Sequence, residues 1–299
     1  MLEEESIKET RHCSPTIAKD AKKNKTCYSY EYLVLLVKLY NSSHSDKIDI
    51  SKIKNKKGIW NALQKKLDNE CGSNEACWLE QPFVKNSVLK EKMEERFRPK
   101  KPLSWYKNPE EWLNTYDILD VMKQYEESDK SYYFVGVFPV DFASTNTHTG
   151  VCVVQEMCKL HLATEWKRGI KRVGVVFNTD DSKSSGEHWI SAFIGLDPKR
   201  RNFGVYFYDS VAMSPPKEVM KFLKQMQKEL SDLHPKQSDK VALKVNRVRR
   251  QYKNSNCGIF SVLFHILMMK YNYDVVCEKM GYDDDVQKFR DLLYRSSKK

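Results

Sequence analysis

The sequence predicts an α+β fold preceded by a helical region, and three observations carry that expectation. Apolar residues recur at helical spacing through the first third of the chain. The middle alternates β-branched and aromatic runs with turn signals, and Cys257 to Met269 forms an apolar run too long for an ordinary strand. At 299 residues and 40% hydrophobic content, the chain has material for one large domain or two modest ones.

Taken in order, residues 1–26 are polar and lack periodicity, so a mobile tail is expected there. Residues 27–102 read as a helical arm. Tyr30, Leu33, Leu36, Val37 and Tyr40 lie at helical spacing, as do Ile59, Leu63 and Leu67. The stretch Arg96 to Pro102 combines charge with two prolines that oppose helix continuation, which marks the boundary to a second domain at 103–299. That domain opens with a helix over about Trp112 to Tyr125. Strands follow at Tyr132–Val140, Arg172–Phe177, His188–Leu196 and Phe203–Tyr208, the last two forming a hairpin. Ser214 and Pro215 signal the start of a helix carrying Val219, Leu223, Met226 and Leu230. A last strand, Val241–Val248, leads into the buried helix that begins at Cys257.

Composition excludes several classes. No run of about 18 apolar residues predicts a membrane span, and the first thirty residues lack a secretory signal, so a soluble, non-secreted protein is expected. Eight cysteines without a C-x-x-C pair do not predict a disulfide scaffold or a zinc site; a reducing compartment and no metal are expected. The net charge of +11 admits a weak contact with nucleic acid, but acids interleave the basic runs, which fits a solvated lysine-rich surface better.

The residues that can carry chemistry gather around Cys257. The start of a helix favours a thiolate, because unpaired N–H groups and the helix dipole point there. Asn254, Ser255 and Asn256 precede Cys257 as turn and capping residues, and Gly258 leaves its approach open. A buried structural thiol is the alternative on this local evidence. His188 is the candidate base, placed where a polar loop enters an apolar strand. The next strand of the hairpin ends in Asp209, which pairing can bring beside His188 as the acceptor that orients the imidazole. Standing alone, Asp209 followed by Ser210 could simply end a strand. Gln251, with Asn254 and Asn256 as competitors, can supply an oxyanion donor. Trp112 and Trp189 can wall a narrow channel or belong to the core.

Gly186-Glu187-His188-Trp189, Tyr208-Asp209-Ser210, Gln251 and Asn256-Cys257-Gly258 resemble, in order, the His, Asp, Gln and Cys motifs of the ubiquitin-like-protein-specific (Ulp/SENP) cysteine proteases. Trp112-Leu113-Asn114 resembles that family's tryptophan motif, and the likeness covers roughly residues 105 to 295. Within the family the chain is most similar to the SUMO-protease-like polyprotein-processing enzymes of large DNA viruses. Ser214-Pro215-Pro216, Asp284-Asp285 with Phe289-Arg290, and an arm holding Cys77 and Glu95-Arg96-Phe97 add to that likeness. Asp209 is a departure, since a viral member of that branch carries Asn there.

The resemblance implies a papain-like core, with Cys257 on a central helix and His188 and Asp209 on a mixed sheet. It implies cleavage after Gly-Gly-type sequences in a channel roofed by Trp112 and Trp189, no cofactor, and a polyprotein or ubiquitin-like protein as substrate. For the viral branch it implies processing of structural polyproteins during virion maturation, in the host cytoplasm and the virion. Alternatives are an isopeptidase acting on SUMO or ubiquitin, an acetyltransferase using the same residues, and a non-enzymatic binding module. The sequence sets neither the oligomeric state nor the purpose of the arm.

Overall fold

The structure is a computed structural model, and it describes residues 2–10, 12–53, 55–145 and 150–296. The chain divides into two compact units. One has Glu110–Phe289 as its body, and the other comprises Glu4–Pro109 together with the stretch that begins at Arg290.

In the first unit, five strands form one mixed sheet in the order β1 (Tyr132–Pro139), β2 (Arg172–Asn178), β3 (Trp189–Gly195), β4 (Gly204–Tyr208) and β5 (Ala242–Val245). β2, β3 and β4 are antiparallel neighbours, while β1 and β5 pair in parallel at the two edges. Strand alternation sorts the side chains into two faces. Val173, Val175, Phe177, Ile190, Ala192, Ile194, Val205 and Phe207 pack with Val219, Phe222, Leu223 and Met226 of the helix Lys217–Leu233. The other face meets the helix Cys257–Met268, all twelve residues of which are buried. Tyr208 stacks on Phe264 at 4.9 Å between ring centres, and Phe193 and Phe134 lie against His265. Burial pushes the His265 pKa down to about 3, so it is a neutral core residue, with the Tyr132 hydroxyl 3.1 Å from its Nδ1.

Two of the expected boundaries move. The first helix of this unit is Thr115–Ser128, because Asn114 caps it with a capping box through Asp117, which leaves Trp112 in the segment before it. Pro216, rather than Ser214, is the N-cap of the helix Lys217–Leu233.

The second unit corrects three expectations. Residues of the expected mobile tail form the helices Glu4–Glu9 and Ala18–Asn24, and Ile7, Cys13, Ser14 and Ala21 are buried. A disulfide joins Cys13 to Cys27, and a second joins Cys71 to Cys77, where free thiols were expected. Their Cα separations of 5.2 and 5.4 Å fall within the range a bridge requires. In the first unit Cys152 and Cys158 form a third, which leaves Cys257 and Cys277 free. The stretch Arg290 to Ser296, expected to belong with the catalytic domain, packs with the arm instead. The Arg290 guanidinium lies 4.7 Å over the Trp105 ring, Tyr294 meets that ring edge-on at 4.9 Å, and the main chain of Arg295 bonds to Pro99 and Lys101.

The arm's two long helices are those that periodicity predicts, Tyr30–Ser43 and Lys56–Cys71. Between them and Trp78 sits buried Glu75, whose carboxylate accepts from the Thr26 hydroxyl, the Cys27 N–H and the Trp60 indole at 2.8 to 2.9 Å. A buried carboxylate is tolerable when its oxygens are satisfied in this way.

Candidate active site

The β3–β4 hairpin fixes the first two members of the site. Ser191 pairs with Tyr208 across the ladder, so the residue that enters β3 and the residue that leaves β4 end up side by side. His188 Nε2 lies 2.6 Å from Asp209 Oδ1, a short, charge-assisted hydrogen bond. Asp209 is buried and its carboxylate is fully engaged: the Val211 and Met213 N–H groups donate to it at 3.0 Å each. Asn246, which follows β5, grips the main chain of Asp209 from the other side, accepting its N–H at 2.8 Å and donating to its carbonyl at 2.7 Å. The carboxylate therefore has one orientation available, towards His188.

The loop before His188 is held equally firmly. Asn178 Oδ1 accepts from the Asp180 and Glu187 N–H groups, and the Thr179 N–H donates to the His188 carbonyl at 2.9 Å. Gly186 has φ +93°, and a Cβ there would meet the Asn178 amide at 2.6 Å, so both conformation and space favour glycine.

Cys257 is the first residue of the central helix and is 1% exposed, with Asn256 as its N-cap. It is near enough to the His188 ring to help raise its pKa. Burial is the largest single influence on His188 and disfavours its charged form. The bonds to Asp209 and Cys257 and their charges outweigh it, and the pKa is raised from 6.5 to about 9. At neutral pH the imidazole is thus held protonated beside the sulfur, the setting that favours a thiolate. Cys277, the other free cysteine, has no such partner in the site, and burial pushes its pKa up to about 11.

Gln251 begins the loop that ends at Cys257 and is buried. The Ser210 hydroxyl donates to its Oε1 and the Lys253 carbonyl accepts from its Nε2, both at 2.6 Å. Since a carbonyl can only accept, the amide must present its NH₂ on that side, which leaves one N–H for another acceptor. Ser210 follows Asp209 directly, so one dipeptide touches both the imidazole and the amide.

The two tryptophans occupy different settings. Trp189 is 8% exposed and donates its indole N–H to the Leu113 carbonyl at 2.8 Å; Trp112 is 43% exposed. Both line a cleft of about 600 Å³ with Leu113, Val137, Phe138, Val153 and Gly186. A Cβ on Gly258 would lie 2.7 Å from Leu113 Cβ and 3.2 Å from Trp189 Cδ1, so glycine is what lets this wall close on the helix beside Cys257. His188, Asp209 and Cys257 therefore come together, with Trp189 against the same helix and Trp112 in the lining of the same cleft as Trp189. The parts played by Asn246 and Asn178 were not read from the sequence, because side-chain bonds to a distant main chain leave no periodic signal; Ser210 was named in the motif without its bond to Gln251.

A thiol at a helix start, a protonated imidazole beside it and a buried carboxylate behind that define the class: a cysteine protease. Residues 154–298 match the model of the Ulp1 protease family, C-terminal catalytic domain. The chain is 25% identical over 292 residues to a mimivirus protein (Acanthamoeba polyphaga mimivirus) named as a thiol protease, covering 92% of this chain and 91% of the relative. It is also 25% identical over 255 residues to the SUMO-1 cysteine protease of African swine fever virus, covering 80% and 88%. The crystal structure of the African swine fever virus protease has the same fold, with a TM-score of 0.62 at 20% identity over 86% of this chain and 95% of that one.

The raised pKa of His188 sets a pH expectation. A raised pKa means that the protonated form persists up to about pH 9 and is lost above it. The kcat/KM for a peptide should hold through neutral pH and fall as pH rises through about 9. In Asp209→Asn the neutral amide no longer favours the imidazolium, so that limb should move to lower pH and kcat should fall by about 10²- to 10⁴-fold. A pH profile of the two proteins checks this; an unmoved limb would separate Asp209 from the titration.

Proposed function

We propose that the protein is an endopeptidase that cleaves after Gly-Gly or Gly-X-Gly sequences, with Cys257 as nucleophile, His188 as base and acid, Asp209 as its orienting partner and Gln251 as oxyanion donor. The observation that carries this is the 2.6 Å His188–Asp209 pair beside Cys257, with Trp189, which lines a cleft together with Trp112, against the start of the same helix. The Cys257 thiolate, its proton resting on His188, attacks the glycyl carbonyl carbon and forms the C–S bond. The carbonyl oxygen gains the negative charge, which the Gln251 N–H and the Cys257 main-chain N–H bind. As the C–N bond breaks, His188 returns its proton to the leaving amine. Water, losing a proton to His188, then releases the acid and restores the thiol.

Two indoles in the lining of the cleft leave bulky side chains little room if they close on the substrate, and on that reading glycine occupies the cleaved position. Replacing that glycine with alanine in a fluorogenic peptide should lower kcat/KM by about 10²-fold. Equal cleavage of the two peptides would refute the specificity. We extend the reading to structural polyproteins cut during virion maturation, in the host cytoplasm at assembly sites and in the virion. Its support is that two viral relatives align along most of their length. A second reading is cleavage of a ubiquitin-like modifier, favoured by the name SUMO-1 cysteine protease carried by the African swine fever virus relative. Turnover of a SUMO reporter but not of a Gly-Gly-X polyprotein segment would select it.

A further inference from the structure

Asp283 is a buried carboxylate, 5% exposed, on the short helix Asp283–Gln287 near the end of the first unit. The sequence motifs and the proposed mechanism give it no part. Its Oδ2 accepts the main-chain N–H groups of Tyr252 at 2.6 Å and Lys253 at 3.1 Å, and the Asn256 amide lies 3.4 Å from both its Oδ1 and its main-chain oxygen. A single side chain thus touches three of the five residues between Gln251 and Cys257.

The contact at Lys253 matters most. The Lys253 carbonyl is the acceptor that holds Gln251 Nε2 at 2.6 Å, and Asp283 fixes the N–H of the same residue. A negatively charged acceptor makes stronger bonds to main-chain N–H groups than a neutral one, and a buried carboxylate has strong reason to keep them. We propose that Asp283 is a positioning residue for the reaction: it locks the loop 252–256 so that Lys253 turns the Gln251 amide to the oxyanion. This rests on the assignment of Gln251 as oxyanion donor.

An oxyanion donor acts in the transition state and not on bound substrate, so its misplacement should appear in kcat rather than KM. The test uses the full chain as wild type, Asp283→Ala, Asp283→Asn, Gln251→Ala and the double variant Gln251→Ala/Asp283→Ala. For each, kcat and KM are measured on a Gly-Gly fluorogenic peptide, and the rate of iodoacetamide alkylation at Cys257 is followed by mass spectrometry. Alkylation needs the thiolate but no oxyanion hole, so it reports whether the rest of the site is intact.

Asp283→Ala is expected to lower kcat by about 10- to 10²-fold, with KM and the alkylation rate within about twofold of wild type. Asp283→Asn, which keeps an acceptor oxygen in place, should recover most of the loss. The double variant should be no slower than Gln251→Ala, because Asp283 acts through Gln251. Wild-type kcat in Asp283→Ala, beside an impaired Gln251→Ala, would overturn the role of Asp283 and leave the oxyanion assignment standing. Alkylation that falls in step with kcat, or losses that multiply in the double variant, would reduce Asp283 to a structural residue. Wild-type kcat in Gln251→Ala would overturn the oxyanion assignment itself and this proposal with it.

Discussion

Cys257→Ala is expected to lower peptide turnover by at least about 10⁴-fold, while leaving the melting temperature within a few degrees of wild type. Under the proposed mechanism no other group can form the acyl intermediate: six of the remaining cysteines are bridged, and Cys277 is a half-buried thiol whose pKa burial pushes up to about 11. Loss of the nucleophile therefore removes the covalent route entirely and leaves only substrate binding and the oxyanion donors. The fold should tolerate the change. Cys257 is 1% exposed at the first position of a helix that is buried along its whole length, and alanine fills most of its volume while favouring the helix. Enzyme assays and thermal melts of the same preparations separate the two effects.

Gly195→Ala should have the largest effect on stability, about 3 kcal/mol or more, and should lower the melting temperature by roughly 6 to 12 °C. A Cβ at this position would lie 1.7 Å from the main-chain oxygen of Asn202, and backbone cannot move aside as a flexible side chain does. Asn202 is itself pinned. Its side chain donates to the Met268 and Tyr271 carbonyls and accepts the Tyr273 N–H, which ties the turn to the end of the central helix. Gly195 pairs with Gly204 at the turn end of the hairpin whose far end holds His188 and Asp209. Thermal unfolding followed by circular dichroism measures the loss, and a melting point within 2 °C of wild type would show that the turn can relax.

How much of this the sequence revealed follows from the range of the interactions. His188, Asp209 and Cys257 were legible because each sits at the end of an element with a strong period, and antiparallel pairing converts a separation of twenty-one residues into contact. The sheet and the central helix were legible for the same reason. The disulfides were not: whether two cysteines bridge depends on Cα distances that the folded chain creates, and six-residue spacings alone point to nothing. The order of the first 26 residues was hidden too, since their polar composition gives no sign of the bridge from Cys13 or of the pairing of Cys13 with Phe97. The C-terminal stretch misled in the opposite way. It was placed with the catalytic domain, but Arg290 and Arg295 are buried against the arm, where Trp105 faces one guanidinium and Glu94 lies 3.2 Å from the other. Asn246 and Asp283 share this property: one polar side chain satisfying a distant main chain is invisible to pattern and decisive for geometry.

The measurement that bears most directly on the central claim is the initial rate of cleavage of a Gly-Gly fluorogenic peptide by wild type and by Cys257→Ala, at equal concentrations of folded protein. Wild type should turn the peptide over steadily, and the variant should show nothing above background. Cleavage by purified, folded Cys257→Ala at a rate near that of wild type would contradict it.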